Sequence, residues 1–260
     1  MLKGRSAIVT GSTSGIGLGI AHALAAEGVN ILFNGFGDKA AIDALVADTA
    51  KKYGVKTSYS AADISKAEEI RAMVKQAEDT FGAVDILVNN AGIQFTGDIE
   101  TYPEEKWDSI IAINLSSVFH ASKAAMKGMK ARNWGRIINV ASAHGLVGSA
   151  HKGAYVASKH GVVGFTKVLA LELGESLITA NAICPGWVMT PLVQKQIDDR
   201  SAKEKRDPAV VVHDMLGEKQ STGRFSTPEQ IGALTVFLCS DAAINITGTT
   251  HSIDGGWTAA

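Results

Sequence analysis

The sequence predicts an α/β protein: a doubly wound, seven-stranded parallel sheet with helices on both faces. Three observations predict it. Short apolar, β-branched runs alternate along the whole chain with longer stretches of helical character, the pattern of a parallel sheet joined by right-handed crossovers. A glycine-rich turn lies between the first such run and the first helix. Of the 260 residues 46% are hydrophobic, only 6% are aromatic and 27 are glycine. That mix suits Val, Ile and Ala strands with tight turns better than a disulfide scaffold or a disordered chain. A chain of this length can bury one large core, and no linker, repeat or low-complexity run divides it, so one domain over 1–260 is expected.

The first strand is expected at 6–10 and the first helix at 15–28, joined by Thr10-Gly-Ser-Thr-Ser-Gly-Ile-Gly17. Gly11, Gly15 and Gly17 allow a tight turn and close backbone approach. Together with Thr13, Ser14 and Ile16 they place amide groups at a helix amino terminus, where a dinucleotide's pyrophosphate can sit. The spacing is G-x-x-x-G-x-G rather than the commoner G-x-G-x-x-G, and an ordinary glycine turn is the alternative reading.

The second strand, 30–34, runs into Asn34-Gly-Phe-Gly-Asp38. A cation at this strand end accommodates the extra phosphate of NADP; here position 35 is glycine and Lys39 lies beyond the turn, so NAD is expected. Phe36 either flanks the adenine or is an exposed turn aromatic. Strands follow at 56–61, 85–89, 136–141, 178–183 and 249–253, and helices at 39–53, 66–81, 104–130, 153–174 and 228–240.

One region breaks the alternation. Between Pro185 and Pro228 the chain is too long for a simple crossover, and 190–199 and 208–219 read as two extra helices. A lid over about 187–220 is expected, with a solvated excursion as the alternative, since 198–207 is a charge run.

The chemistry concentrates between Ser142 and Lys159. Tyr155 and Lys159 are four residues apart, which on a helix puts both on one face. A cation about 4 Å from a phenol, at an effective dielectric of roughly 20, stabilises the phenolate by about 4 kcal/mol, enough to make it a base near neutrality. Ser142 emerges at the carboxyl end of the strand at 136–141, the edge where open α/β sheets bind ligands. Alone, the Tyr-Lys pair is equally compatible with an amphipathic packing feature.

Charge and cysteine content narrow the field. The net charge of -1 gives no basic stripe for nucleic acid. Cys184 and Cys239 are the two cysteines, too few for a metal-ligand cluster and consistent with a reducing compartment. The amino terminus runs straight into a strand, and no apolar run reaches about 18 residues, so a cytoplasmic protein without a membrane span is expected.

The glycine turn, Asn89-Asn-Ala-Gly92, Asn114, Ser142, Tyr155-x-x-x-Lys159 and Pro185-Gly186, in that order, resemble the short-chain dehydrogenase/reductase family over essentially the whole chain. The resemblance implies a Rossmann-type fold and assigns roles. Tyr155 is the general acid/base, Lys159 lowers its pKa and holds the nicotinamide ribose, Ser142 hydrogen-bonds the reacting oxygen, and Asn114 supports a proton-relay water. Asp63 contacts the adenine; Asn90, Gly92, Pro185 and Val188 line the cofactor, and Thr190 grips the nicotinamide amide. Hydride transfer belongs to the cofactor; the protein supplies orientation and the proton.

The more variable segments, among them Gly92-Ile-Gln94, Cys184-Pro-Gly-Trp187 and Asp254-Gly-Gly-Trp257, resemble the bacterial branch of that family whose members interconvert (R)-3-hydroxybutyrate and acetoacetate with NAD and are tetramers. A homotetramer acting on a small 3-hydroxy or 3-oxo acid is therefore expected. Gln94, His144, Lys152 and Gln196 would hold the carboxylate, with Trp187 and Trp257 as apolar walls. Each of these also has an ordinary reading as a loop, lid or core residue. The chain departs from the family's pattern at Phe95, where histidine is common, and at Met189, where arginine is common. Phe95 facing the pocket would favour a longer acyl chain. Two other readings are weighed: a 3-oxoacyl thioester reductase, which would use NADP and a basic patch for a carrier protein, and a non-catalytic nucleotide-binding regulator, which would lack one of Ser142, Tyr155 and Lys159.

Overall fold

A computed structural model describes residues 2–259 of the chain; Met1 and Ala260, the two ends of the expected unit, lie outside the described residues. Seven parallel strands form one sheet: β1 (Ser6–Val9), β2 (Asn30–Asn34), β3 (Thr57–Ser60), β4 (Ile86–Asn89), β5 (Gly135–Val140), β6 (Ile178–Pro185) and β7 (Thr250–Ile253), in the order β3-β2-β1-β4-β5-β6-β7. β1, β4, β5 and β6 are buried at every position. Such strands need apolar side chains on both faces, which explains their nearly continuous Val, Ile and Ala runs.

The pleat divides the core in two. Val9, Phe33 and Ile138 face α1 (Gly15–Ala26), represented by Ile20 and Leu24, and the later helix carrying Leu238. Ile8, Leu32 and Leu87 face the other way, toward Ile70 and Met73 of a helix over Ala67–Phe81 and toward Met129 and Leu169. The order reverses between β1 and β4, and the carboxyl ends of those strands open the crevice where ligands bind in such sheets.

The remaining helices are α2 (Lys39–Tyr53), α3 (Ala67–Phe81), α4 (Glu104–Ile111), α5 (Ser117–Arg132), α6 (Gly153–Glu172), α7 (Pro191–Glu204), α8 (Pro208–Gly217) and α9 (Pro228–Cys239). Four of them, α2, α7, α8 and α9, start on side-chain caps. Asp38 accepts from the Ala41 amide at 2.9 Å, and Thr227 with Gln230 forms a reciprocal capping box ahead of Pro228.

Two expectations need correction. The single helix expected at 104–130 is α4 and α5 joined by a π-turn over Ala112–Ser116, and the residue this wider turn carries inward is Asn114. The helix expected at 190–199 runs on through most of the charge run, as far as Glu204. α7 continues to Glu204 because Gln194–Asp198, Lys195–Asp199 and Arg200–Glu204 pair at i,i+4, with contacts of 2.9, 2.8 and 2.8 Å. α7 and α8 pack on each other through Val193, Ile197, Val211 and Met215, with Trp187, Met189 and Phe225 alongside, a small cluster of their own. Met189 thus serves as packing where a charged side chain would be stranded.

Candidate active site

The glycine turn fits a dinucleotide's phosphates. Gly11 and Gly15 adopt positive φ of 62° and 57°. A Cβ on Gly17 would fall 2.5 Å from Asn90 Nδ2 and closer still to the Gly11 carbonyl oxygen, so only glycine lets α1 start this near β1. Ser14, preceding α1, makes no side-chain cap, which leaves the first-turn N–H groups free to receive an anion.

Asn90 braces this turn from behind. Its Nδ2 donates to the Thr10 and Gly11 carbonyl oxygens at 2.8 and 3.1 Å, while Thr10 Oγ1 accepts from the Asn90 and Ala91 amides. Thr13 Oγ1 donates to the Phe36 carbonyl oxygen at 3.1 Å, tying the turn to the end of β2. Phe36 itself is 69% exposed. At Gly35, φ is 148° and a Cβ would sit 2.7 Å from Thr13 Oγ1, so an acidic side chain cannot stand there without moving Thr13. Lys39 is turned away onto Asp43 at 2.5 Å. Asp63, expected at the adenine, is half-buried, and its carboxylate accepts from the Ser65 amide and hydroxyl, which hold it below the usual carboxylate range.

Beyond the turn, the carboxyl ends of β4, β5 and β6 open into a cavity of about 570 Å³. Every residue expected at the substrate lines it: Gln94, Ser142, His144, Lys152, Tyr155, Trp187, Gln196 and Trp257. Lys159, Ile16, Asn90, Gly92, Pro185, Val188 and Thr190 line it as well. Chain segments more than 160 positions apart in sequence meet here only because β4, β5 and β6 are neighbours. Ile93, Leu192 and Val193 add apolar lining that the sequence did not single out, lacking any signal beyond adjacency to Gly92 and Pro191. Phe95 is absent from the lining: its ring meets Tyr102 edge-on at 5.3 Å and 86°, and the Tyr102 hydroxyl donates to its carbonyl oxygen. The expectation that Phe95 shapes the pocket is not met, because a neighbouring ring captures it.

Asn114 is 1% exposed and acts as a clamp. Its Oδ1 accepts from the Ile93 amide at 2.9 Å; its Nδ2 donates to the Ile93 carbonyl oxygen at 2.9 Å and to Ser158 Oγ at 3.2 Å. The π-turn thereby fastens the loop carrying Gln94 to α6, which carries Tyr155 and Lys159.

The electrostatics differ from the expectation at one point. Lys159 Nζ donates to the Val140 carbonyl oxygen at the end of β5, at 2.8 Å, and stands 5.7 Å from the Tyr155 ring centroid. Burial pushes the Tyr155 phenol above its ordinary value, opposed by a hydrogen bond from Ser142. Burial brings the Lys159 ammonium down to about 8. Ser142 Oγ also accepts from the His144 amide at 3.1 Å, which fixes its rotamer. His144 is buried, and desolvation followed by the charges of Lys152 and Lys219 takes its imidazole down to about 4, so it is neutral near pH 7. The Lys152 ammonium is lowered by burial and by Lys219. Thr190 caps α7 by accepting from the Val193 amide at 3.3 Å, leaving its hydroxyl proton for another partner. Cys184 is a buried thiol pushed up to about 11, and thus inert. Among the described residues no His, Cys, Asp and Glu group could hold a metal, and no helix is long and apolar enough to cross a membrane.

Comparison with known proteins bears on the family and the fold. The family model described as enoyl-(acyl carrier protein) reductase matches residues 11–258. The D-beta-hydroxybutyrate dehydrogenase of Cupriavidus necator is 57% identical over 100% of both chains. That of Rhizobium meliloti is 50% identical, covering 98% of this chain and 99% of its own. Among solved structures, the L-sorbose reductase from Gluconobacter frateurii, complexed with NADPH and L-sorbose, superposes with a TM-score of 0.94 at 30% identity, covering 98% of this chain and 97% of that one.

Proposed function

The chain belongs to the short-chain dehydrogenase/reductase family, and from that premise we propose that it is an NAD-dependent dehydrogenase converting (R)-3-hydroxybutyrate to acetoacetate and back. The observation that carries the proposal is one cavity lined by Ser142 and Tyr155 together with the donors Gln94, His144, Lys152 and Gln196. Ser142 and Tyr155 suit a reacting alcohol and Lys152 a carboxylate, the two groups of a short 3-hydroxy acid.

A nicotinamide held by the glycine turn would supply the hydride acceptor for the carbinol carbon. The residues do the rest. Tyr155 takes the hydroxyl proton in the oxidation and returns one to the ketone in the reduction, while Ser142 hydrogen-bonds the same oxygen. Lys159 stays beside the phenol and supports the nicotinamide ribose; Gly11, Thr13, Ser14, Gly15, Ile16 and Gly17 hold the phosphates. Asp63 and Phe36 border the adenine, and Asn90, Gly92, Pro185, Val188 and Thr190 position the nicotinamide end. Asn114 acts by holding the Ile93 backbone and Ser158, and from there supports a proton-relay water. Lys152 pairs with the carboxylate, and neutral His144 donates or accepts a hydrogen bond at no charging cost.

The turn of Lys39 onto Asp43 favours NAD, since it draws the first cation after β2 away from this strand end. Lys152 favours a free acid over a 3-oxoacyl thioester, whose polar end is uncharged. α7 and α8, with Leu192, Val193 and Gln196 on the cavity, serve as the lid. Val168 and Leu171, 47% and 83% exposed on α6, support self-association, with a homotetramer as the assembly. Recording nicotinamide absorbance with the (R) acid, the (S) acid, NAD and NADP in all pairings tests the reading: turnover confined to (R) with NAD is expected, and a preference for NADP or for 3-oxoacyl thioesters overturns it.

A further inference from the structure

Two lysines stand over two tryptophans at the cavity. Lys152 Nζ is 5.9 Å from the Trp187 ring centroid and Lys219 Nζ is 5.7 Å from that of Trp257. The indoles themselves are 6.1 Å apart and tilted by 35°. The Trp257 ring meets His144 edge-on at 5.0 Å, and His144 meets Tyr155 at 6.0 Å, so ring contacts run from Lys219 inward to the phenol. Lys219 is the one member of this series that does not line the cavity, and nothing in the sequence singled it out.

Its place is fixed by its neighbour. Gln220 is 1% exposed; its Oε1 accepts from the Trp187 amide and its Nε2 donates to the Arg224 carbonyl oxygen at 2.6 Å. The Lys219 and Gln220 amides donate to the Leu216 carbonyl oxygen at the end of α8, and the Thr222 amide donates to the Gly255 carbonyl oxygen, two residues before Trp257. The backbone on both sides of the Lys219–Trp257 contact is therefore anchored. Glu218, the adjacent acid, is turned toward Arg200 at 3.6 Å and leaves the lysine's charge directed at the cavity rim.

We propose that Lys219 is a specificity-determining residue: held over Trp257, it joins Lys152 in a two-cation field that draws in carboxylate-bearing substrates and disfavours neutral ones. The proposal rests on the functional reading above. Two like charges flanking one aromatic wall repel each other, and the charge of Lys219 reaches both Lys152 and His144. An anion bound between them relieves that repulsion; a neutral ligand does not. Because Lys219 is exposed, its field acts partly through solvent and is screened by salt.

The test compares (R)-3-hydroxybutyrate with its methyl ester in the wild type, Lys219→Met and Lys219→Arg. Lys219→Met is expected to raise KM for the acid about fivefold at low ionic strength and to shift the acid-to-ester ratio of kcat/KM by the same factor. The shift should shrink near about 0.5 M salt, and Lys219→Arg should restore the ratio. An unchanged ratio, or equal losses on acid and ester, overturns the proposal and marks Lys219 as packing alone. If the wild type itself oxidises neither compound, the functional reading fails first and takes this inference with it. Wild-type turnover with an unshifted ratio defeats only the role of Lys219.

Discussion

Lys159 Nζ lies 2.8 Å from the Val140 carbonyl oxygen, while the phenol of Tyr155, one helical turn back on α6, stands above its ordinary pKa. The cation and the phenol are neighbours without being hydrogen-bond partners. The protonated phenol is therefore the resting form near neutrality, ready to donate to a ketone. Since the base form of a group with a raised pKa accumulates only as pH rises, oxidation should gain in kcat/KM toward alkaline pH while reduction declines. Lys159, brought down to about 8, should lose its charge in the same range. Rates in both directions across pH 6 to 10 check this, and flat profiles in both contradict it.

His144 gives a stability signature. Its imidazole is taken from an ordinary 6.5 down to about 4 in the folded chain, so between those values the unfolded chain binds more protons. Its contribution is complete above about pH 6.5 and is lost as pH falls toward 4, by up to about 3 kcal/mol. Denaturant unfolding of the wild type and His144→Gln at a series of acidic pH values measures it. The variant should lose less stability over that window.

How much of this was legible beforehand depends on the kind of interaction. The strands and the glycine turn were readable because buried parallel strands demand apolar runs and the start of α1 demands Gly17. The cavity lining was readable through motifs whose residues converge at strand ends. The π-turn at Asn114 was not, because the periodicity on either side of it is helical and only the tertiary clamp on Ile93 and Ser158 makes the wider turn worthwhile. Phe95 was misjudged for a related reason: spacing placed it near the site, but Tyr102 captures its ring; Lys159 lines the cavity as expected, with the Val140 carbonyl oxygen as a partner that spacing does not reveal. Lys219 depends on the buried amide of Gln220, a contact with no local sequence mark.

Asn114 should be costly to remove. Asn114→Ala removes the partner of both the Ile93 amide and its carbonyl at a part-buried position, and a loss of about 1–2 kcal/mol is expected. Because the same loop carries Gln94, KM for the acid should rise as well. Denaturation together with steady-state kinetics tests both. A variant as stable as the wild type would show that the clamp is dispensable.

Gly35 offers a less intuitive case. An acid at this strand end commonly receives the ribose hydroxyls of NAD, yet here a Cβ would press on Thr13 Oγ1 at 2.7 Å with φ at 148°. Gly35→Asp is expected to cost about 1–3 kcal/mol of stability and to weaken NAD binding rather than improve it. Calorimetric titration with NAD decides, tighter binding being the contrary result.

The most direct test of the central claim follows the hydrogen itself. (R)-3-hydroxybutyrate deuterated at C3 is incubated with the protein and NAD, and the nicotinamide ring is examined for deuterium at C4. Transfer of the label, at a rate reduced by about 10²-fold or more in Tyr155→Phe, is the expected result. Absence of transfer from this acid, with label passing instead from a 3-hydroxyacyl thioester, would contradict the assignment of the cavity while leaving the fold untouched.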